Sequence, residues 1–399
     1  MSLEEAAKKI ADRLREMEYV EMYAHHDADG ISSAAIMSIA LKRAGIAFRL
    51  RFLPVLTETD VTNPDISLLC DLGASCAGLP ETTMIIDHHV PYNKSQYHIN
   101  PRLFGADGEA ELSAAGCAYL VANALFDNRD LSGLVLLGII GDRQTLTGMN
   151  EKIIGEGIAN NLINPGRGIL LAGRTTKEQI ESASLPYLPG LSGNSREAED
   201  IMKICSDKTT DEAYLGCLLS EIIARSDASY DALMDLYGNC WSLEREVIRN
   251  AHALTMVVDS CGKAGKTDIA FGLACGDTSL LKEGWEIALS FKKRVIESAG
   301  SAKKIAKNTW MVNSVETVSD VADMFANAEN APVFVLGRAD SYLKVSARAP
   351  LTANVDFEQF IVSAVKTFGG KGGGHKTRAG GELPLACEAE FIKSLEAFA

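Results

Sequence analysis

Apolar positions along this chain change period repeatedly, and each change predicts an element. Residues 3–17 place apolar side chains at helical spacing and predict an amphipathic helix. Residues 19–24 predict a short strand, and the small and apolar run 31–37 predicts a helix. Residues 48–53, 68–73 and 84–86 predict three further strands. The longer gaps between them leave room for the helices that βαβ units require. Residues 112–120 predict a tightly packed helix with Ser113 as its N-cap. The apolar run 134–140 fits a strand or a helix. Residues 150–235 read as mostly helical, broken by turn signals at 164–168 and 185–193, and 241–258 predicts a longer helix. Residues 260–266 form a candidate linker. A second α/β unit follows: a strand at 268–275, a basic helical stretch at 281–308, a hairpin pair at 333–336 and 342–348, a helix at 357–368 and a glycine-rich loop at 369–381.

The ends of the strand-like runs carry the candidate chemistry. The run 19–24 passes into His25-His26-Asp27-Ala28-Asp29-Gly30. His25, Asp27 and Asp29 share parity, so an extended backbone aims all three the same way. They suit metal ligation, with an Asx-type helix cap as the competing role for the carboxylates. Gly30 is expected to supply the backbone conformation of a sharp strand-to-helix turn. The next apolar runs end in Asp71 and in Asp87-His88-His89, and 134–140 leads through Gly141 to Asp142. In open α/β sheets ligands bind at the carboxyl ends of strands. So many carboxylates in one place repel each other unless cations lie between them. Two divalent ions answer that, and such pairs hydrolyse phosphate esters. The imidazoles tilt the expected metal from Mg toward Mn or a similar transition metal.

Composition narrows the function classes. With 399 residues, 47% hydrophobic and 23% charged, the chain has material for more than one core. No apolar run approaches the roughly 20 residues needed to span a bilayer. Nine cysteines, none spaced Cys-x-x-Cys, and the lack of a signal peptide point to a reducing cytoplasm; Cys70 reads as a packed strand residue. A net charge of −14 argues against broad duplex binding but leaves room for a local basic groove. Basic residues concentrate in 281–308, which fits such a groove or a solvated helix face, and in 366–378, which has no acid. Seven glycines within 369–381 surround His375, and their amides can form an anion nest beside Lys371, Lys376 and Arg378; a flexible linker is the alternative. The Lys and Gly residues of 260–266 lack the spacing of a phosphate-binding P-loop.

Taken in order, His25-His26-Asp27-Ala28-Asp29-Gly30, Asp71, Asp87-His88-His89, Gly141-Asp142 and Gly372-Gly373-Gly374-His375 resemble the DHH phosphoesterase superfamily with its DHHA1 second domain. The resemblance spans residues 20–385 and is closest to the archaeal RecJ-like exonucleases, including the GINS-associated nucleases. It implies an α/β fold: an N-terminal DHH domain (1–240, with a helical insert at about 150–235) whose mainly parallel sheet is flanked by helices, a linking helix and linker (241–265), and a smaller α/β DHHA1 domain (266–399) facing it across a cleft. It implies two Mn ions, with Mg or Co as alternatives, held by Asp27, Asp29, Asp71, His88 and Asp142, with His25 as a further ligand. Asp87 and His89 would orient the ligating imidazole or act on the transition state, alongside Asp71 and Asp142. Ser346, Arg348, Gly372, Gly373, Gly374 and His375 would hold a phosphate or terminal nucleotide. The implied activity is exonucleolytic cleavage of single-stranded DNA or RNA. A nanoRNase or 3′-phosphoadenosine-5′-phosphate phosphatase acting on short substrates is the alternative hydrolase. A GINS-binding replisome component, with the insert as its platform, is the alternative of another class.

Overall fold

The computed structural model describes residues 2–350 and 352–398. The chain divides into two compact units, Met1–Arg167 with Asn239–Ala288 and Gly168–Gly238 with Leu289–Ala399. A capping box between Ser2 and Glu5 starts α1 (Leu3–Arg15), whose apolar stripe of Leu3, Ala6, Ala7, Ile10, Ala11 and Leu14 is buried. β1 (Tyr19–His25), α2 (Ala28–Arg43), β2 (Ala47–Leu53), β3 (Ser67–Cys70), β4 (Met84–Ile86) and β5 (Tyr97–Ile99) follow. The five strands form one parallel sheet in the order β2-β1-β3-β4-β5. β3 and β4 are buried throughout, which is why they read as unbroken apolar runs. β2 lies at the edge and alternates, with Arg49 and Arg51 exposed.

α3 (Ala114–Leu125) is capped by Ser113, as expected, whose hydroxyl accepts from the Gly116 amide. The ambiguous apolar run is a helix, α4 (Ser132–Gly141), and α5 (Gly148–Ala159) follows. β6 (Ile163–Ile169) is a strand where the Asn-Pro-Gly sequence predicted a turn. It pairs with β7 (Tyr237–Leu243) in a two-stranded ribbon. Between them lie α6 (Thr176–Glu181), α7 (Ser195–Cys205), α8 (Asp211–Arg225) and α9 (Tyr230–Met234), packed around Ile180, Leu188, Leu191, Ile201 and Leu218. Cys205 and Cys217 form a disulfide that joins α7 to α8, so the expectation of reduced thiols is corrected at this pair.

Several expected elements take another form: residues 241–243 of the expected helix 241–258 belong to β7, and the helix begins only at Ala251. The expected linker is helical through Lys263, the end of α10 (Ala251–Lys263). The expected strand at 268–275 is a helix, α11 (Thr267–Ala274), which packs on α2 and α10; a short apolar run has no period of its own to separate the two. α12 (Leu281–Gly300) carries only part of the basic stretch, and its last lysines lie on β8 (Lys303–Ala306) and beyond. β9 (Thr309–Val312), α13 (Val318–Glu329), β10 (Val333–Arg338), β11 (Tyr342–Arg348), α14 (Phe357–Thr367), β12 (Lys371–Gly374), β13 (Arg378–Pro384) and α15 (Glu388–Phe398) complete the chain. Their mixed sheet runs β12-β13-β11-β10-β9-β8 and packs on α14 and α15 through Phe334, Leu343, Phe357, Ile361 and Phe391. β10 and β11 are the antiparallel pair expected at 333–348. The glycine-rich loop is itself a hairpin: Gly372 lies opposite Gly381 and Gly373 opposite Gly380. No helix among the described residues is long and apolar enough to cross a membrane.

Candidate metal centre

β1, β3 and β4 are neighbours in a parallel sheet, so their carboxyl ends lie side by side, about 4.8 Å apart. The backbone continues from β1 into Asp27 and Asp29, from β3 into Asp71, and from β4 into Asp87, His88 and His89. The C-terminus of α4 adds Asp142. All eight residues expected from the sequence therefore meet in one place. Ligand atoms of His25, Asp27 and Asp71 lie within 4.8 Å of one another, as do those of Asp29, His88 and Asp142, and those of Asp71, Asp87, His88 and His89.

Asp71 stands between these groups. Its Oδ2 is 3.4 Å from His25 Nδ1 and its Oδ1 is 3.4 Å from His88 Nε2. Its backbone takes φ 57°, a left-handed conformation that Asp tolerates better than most residues. His88 Nδ1 donates to the Gly108 carbonyl at 2.6 Å, which orients the ring and turns Nε2 toward Asp142 Oδ2 (3.2 Å), Asp71 and Asp29 Oδ2 (3.7 Å). Asp29 is fully buried, and its two oxygens accept from the Ala115 and Ala114 amides, both at 2.8 Å, at the N-terminus of α3. Asp27 is the N-cap of α2, accepting from the Gly30 amide at 3.1 Å while lying 2.9 Å from His25 Nδ1. The cap role weighed for this carboxylate is thus present through one oxygen, while the other is turned toward His25. Asp87 accepts from the amides of Ala74, His88 and His89 and from His89 Nδ1 (2.8 Å), so its role here is to hold the Asp-His-His turn and the His89 ring.

The electrostatics follow from this crowding. Burial raises the Asp29 pKa well above the carboxylate range, and repulsion from Asp71 and Asp142 adds to it. Burial alone would lower His88, yet the adjoining Asp71 carboxylate and the charges of Asp142 and Asp29 hold its pKa well above the usual imidazole value. His25 is raised in the same way, against burial, by Asp27 and Asp71. Asp27 is lowered against burial by His25, and Asp87 against burial by His89. In the absence of cations, acids and imidazoles neutralise one another by sharing protons. The donor set fits divalent transition ions: the four carboxylates of Asp27, Asp29, Asp71 and Asp142 with the imidazoles of His25 and His88, and Asp71 Oδ1 is buried without a hydrogen bond.

The expected substrate-binding residues lie on the second unit's sheet. Ser346 is buried on β11 opposite Gly380, and Arg348 lies opposite Arg378. Arg348 forms an ion pair with Asp323 at 3.2 Å, and Arg378 donates a hydrogen bond to the same carboxylate at 3.0 Å. Gly372, Gly373 and Gly374 form β12, and His375 begins the turn to β13, its amide donating to the Arg378 carbonyl at 2.7 Å.

Two kinds of residue escaped the sequence reading. Gln144 and Gly108 orient His88: the Gln144 amide donates to the same Gly108 carbonyl at 2.9 Å. Glycines matter through close approach. Gly30 has no positive φ; instead a Cβ there would lie 2.5 Å from the His25 carbonyl oxygen, which corrects its expected role. A Cβ at Gly138 would collide with Asp29 Oδ1. The Gly-x-x-Gly-Asp spacing of 138–142 was the available signal. Gly138→Ala is expected to destabilise the fold by about 1–3 kcal/mol and to weaken divalent-ion binding, which urea unfolding with and without Mn2+ measures.

Comparison with known proteins agrees with this architecture. The model of the DHH family N-terminal domain matches residues 20–139, and that of the DHHA1 domain matches residues 309–399. An uncharacterized protein of Methanocaldococcus jannaschii is 27% identical over 427 residues, covering 99% of this chain and 96% of its own length. RecJ from Thermus thermophilus, solved in complex with Mn2+, is similar over 99% of this chain at 18% identity and a TM-score of 0.62; this chain covers 54% of that one. CDC45 from Entamoeba histolytica is similar over 99% of this chain and 98% of its own, at 12% identity and a TM-score of 0.65. These two structures show that the fold is RecJ-like. With seven of the eight clustered residues on the first matched segment, Asp142 just beyond it, and the glycine hairpin on the second, the chain belongs to the DHH superfamily and carries a DHHA1 domain.

Proposed function

We propose that this protein is a Mn-dependent exonuclease that removes nucleotides from single-stranded DNA or RNA. The observation that carries the reading is the position of Asp71, with one oxygen toward His25 and the other toward His88. A carboxylate so placed could contribute one oxygen to an ion on either side. Asp27 and His25 would hold one ion, and Asp29, His88 and Asp142 the other. Such ions supply an activated water and stabilise the charge of the phosphoryl transition state. The protein's own part is to keep this donor set rigid. Asp29 is fixed by the α3 amides and His88 by the Gly108 carbonyl. His89, partly exposed and oriented by Asp87, donates to a phosphate oxygen of the substrate. Ser346, Arg348, the amides of Gly372–Gly374 and His375 hold the strand end, and a cytoplasmic location goes with this reading.

The experiment is a time course on end-labelled DNA and RNA single strands of several lengths, with Mn2+ and then with chelator. Stepwise loss from one end of long strands is the expected result, and it gives the polarity at once. Cleavage confined to very short oligonucleotides, or release of phosphate from a bisphosphate nucleotide, would replace the exonuclease by a nanoRNase-type activity. No hydrolysis with Mn2+ present would sink the enzyme reading.

A further inference from the structure

The segment matched by the DHH model ends at residue 139, yet a much later helix touches the backbone that bears the ligands. Asp259 on α10 accepts a hydrogen bond through Oδ1 from the Ala28 amide at 3.3 Å. Ala28 sits between Asp27 and Asp29 and is the first residue of α2. The amides of a helix's first turn have no partner within the helix. Asp27 satisfies that of Gly30, and Asp259 satisfies that of Ala28. Asp259 Oδ2 is itself held by Lys263 Nζ at 2.8 Å, one turn along α10.

Gly262 makes the second contact. A Cβ there would collide with the His26 carbonyl and come within 2.7 Å of Ile31 Cδ1. α10 also packs against α4, whose C-terminus carries Asp142. A Cβ at Gly141 would meet Ala28 Cβ at 2.8 Å and Thr255 Cγ2 at 3.9 Å, so α2, α4 and α10 meet directly beneath the ligand-bearing turns.

We propose that Asp259 and Gly262 are positioning residues of the metal centre, setting the 25–29 turn so that Asp27 and Asp29 point together at the ions. The proposal rests on the metal reading above. Residues that orient ligands typically change metal affinity by about 10–100-fold when removed. The test is a calorimetric titration of Mn2+ into the full chain and its Asp259→Ala, Asp259→Asn, Gly262→Ala and Asp71→Asn variants, each first shown to be folded by circular dichroism.

Asp259→Ala is expected to weaken Mn2+ binding by about 10-fold. Asp259→Asn, whose amide oxygen still accepts from Ala28, should recover most of that loss. A residue that served stability alone would lower the unfolding midpoint and leave the affinity of the folded protein unchanged. Wild-type affinity in folded Asp259→Ala, with Asp71→Asn impaired, overturns the positioning role and leaves the metal reading intact. Absence of Mn2+ binding by the wild-type chain overturns both. If Asp259→Ala does not fold, Gly262→Ala decides the matter by the same comparison.

Discussion

Asp71→Asn is expected to lower phosphodiester hydrolysis by about 10³-fold or more, with the fold intact. The magnitude follows from the several kcal/mol that bound ions contribute to a phosphoryl transition state, since each ~1.4 kcal/mol is tenfold in rate. Asp71 is the carboxylate that faces both groups of donors, so on the two-ion reading its loss would affect both ions together. Asparagine is the right replacement for two reasons. It tolerates the left-handed backbone at φ 57°, where alanine would add about 1–2 kcal/mol of strain. It also keeps an oxygen of the same shape while removing the charge that repels Asp29. Without metal, the variant relieves Asp29 but loses the attraction that helps hold protons on His25 and His88, so its stability should stay near that of the wild type. Steady-state rates on a labelled oligonucleotide, paired with chelator-treated unfolding curves, test both halves. A variant with a near-normal rate would remove the two-ion assignment.

Addition of Mn2+ is expected to stabilise the first unit, and more so as pH rises. In the metal-free protein Asp29 has its pKa raised above the ordinary 3.8, by burial first and then by Asp71 and Asp142. Its contribution is complete below that value and is lost as pH rises through the folded pKa. His25, His88 and His89 are raised above 6.5, against burial, by neighbouring carboxylates, and their contribution is lost as pH climbs beyond that value. Asp27 and Asp87 are lowered, so theirs is present above 3.8 and lost only in acid. The metal-free protein should thus weaken steadily above pH 6.5. Ions bind only the deprotonated donors, so their contribution grows over the same range. At a hundredfold excess over Kd it reaches about 2.7 kcal/mol, or roughly 5–10 °C in Tm for a unit of this size. Thermal unfolding at about pH 6 and about pH 8, with Mn2+ and with chelator, measures it. A metal-free protein that gains stability toward alkaline pH would contradict the arrangement of protons described for the site.

The sequence by itself determined the donors. Apolar runs that stop at Asp or His mark strand ends, because a strand buried on both faces must be apolar until it leaves the sheet. That is why Asp71 and Asp87-His88-His89 were legible, as were the Ser113 cap and the hairpin of β10 and β11. Local signals carry less where two structures share a pattern. α11 read as a strand because eight apolar-rich residues fit either period, and its packing on α2 and α10 made it a helix. The glycine run read as a loop, and cross-strand pairing with β13 made it a strand.

Only the tertiary structure decided how the donors meet. β2 follows β1 in sequence but lies at the sheet's edge, which leaves β1, β3 and β4 adjacent and brings their ends together. The partners that hold the donors come from far along the chain: the α3 amides for Asp29, the Gly108 carbonyl for His88, and Asp259 for the turn at Ala28. Periodicity records which face of an element is buried. It does not record what lies against that face, because that depends on contacts between residues distant in sequence.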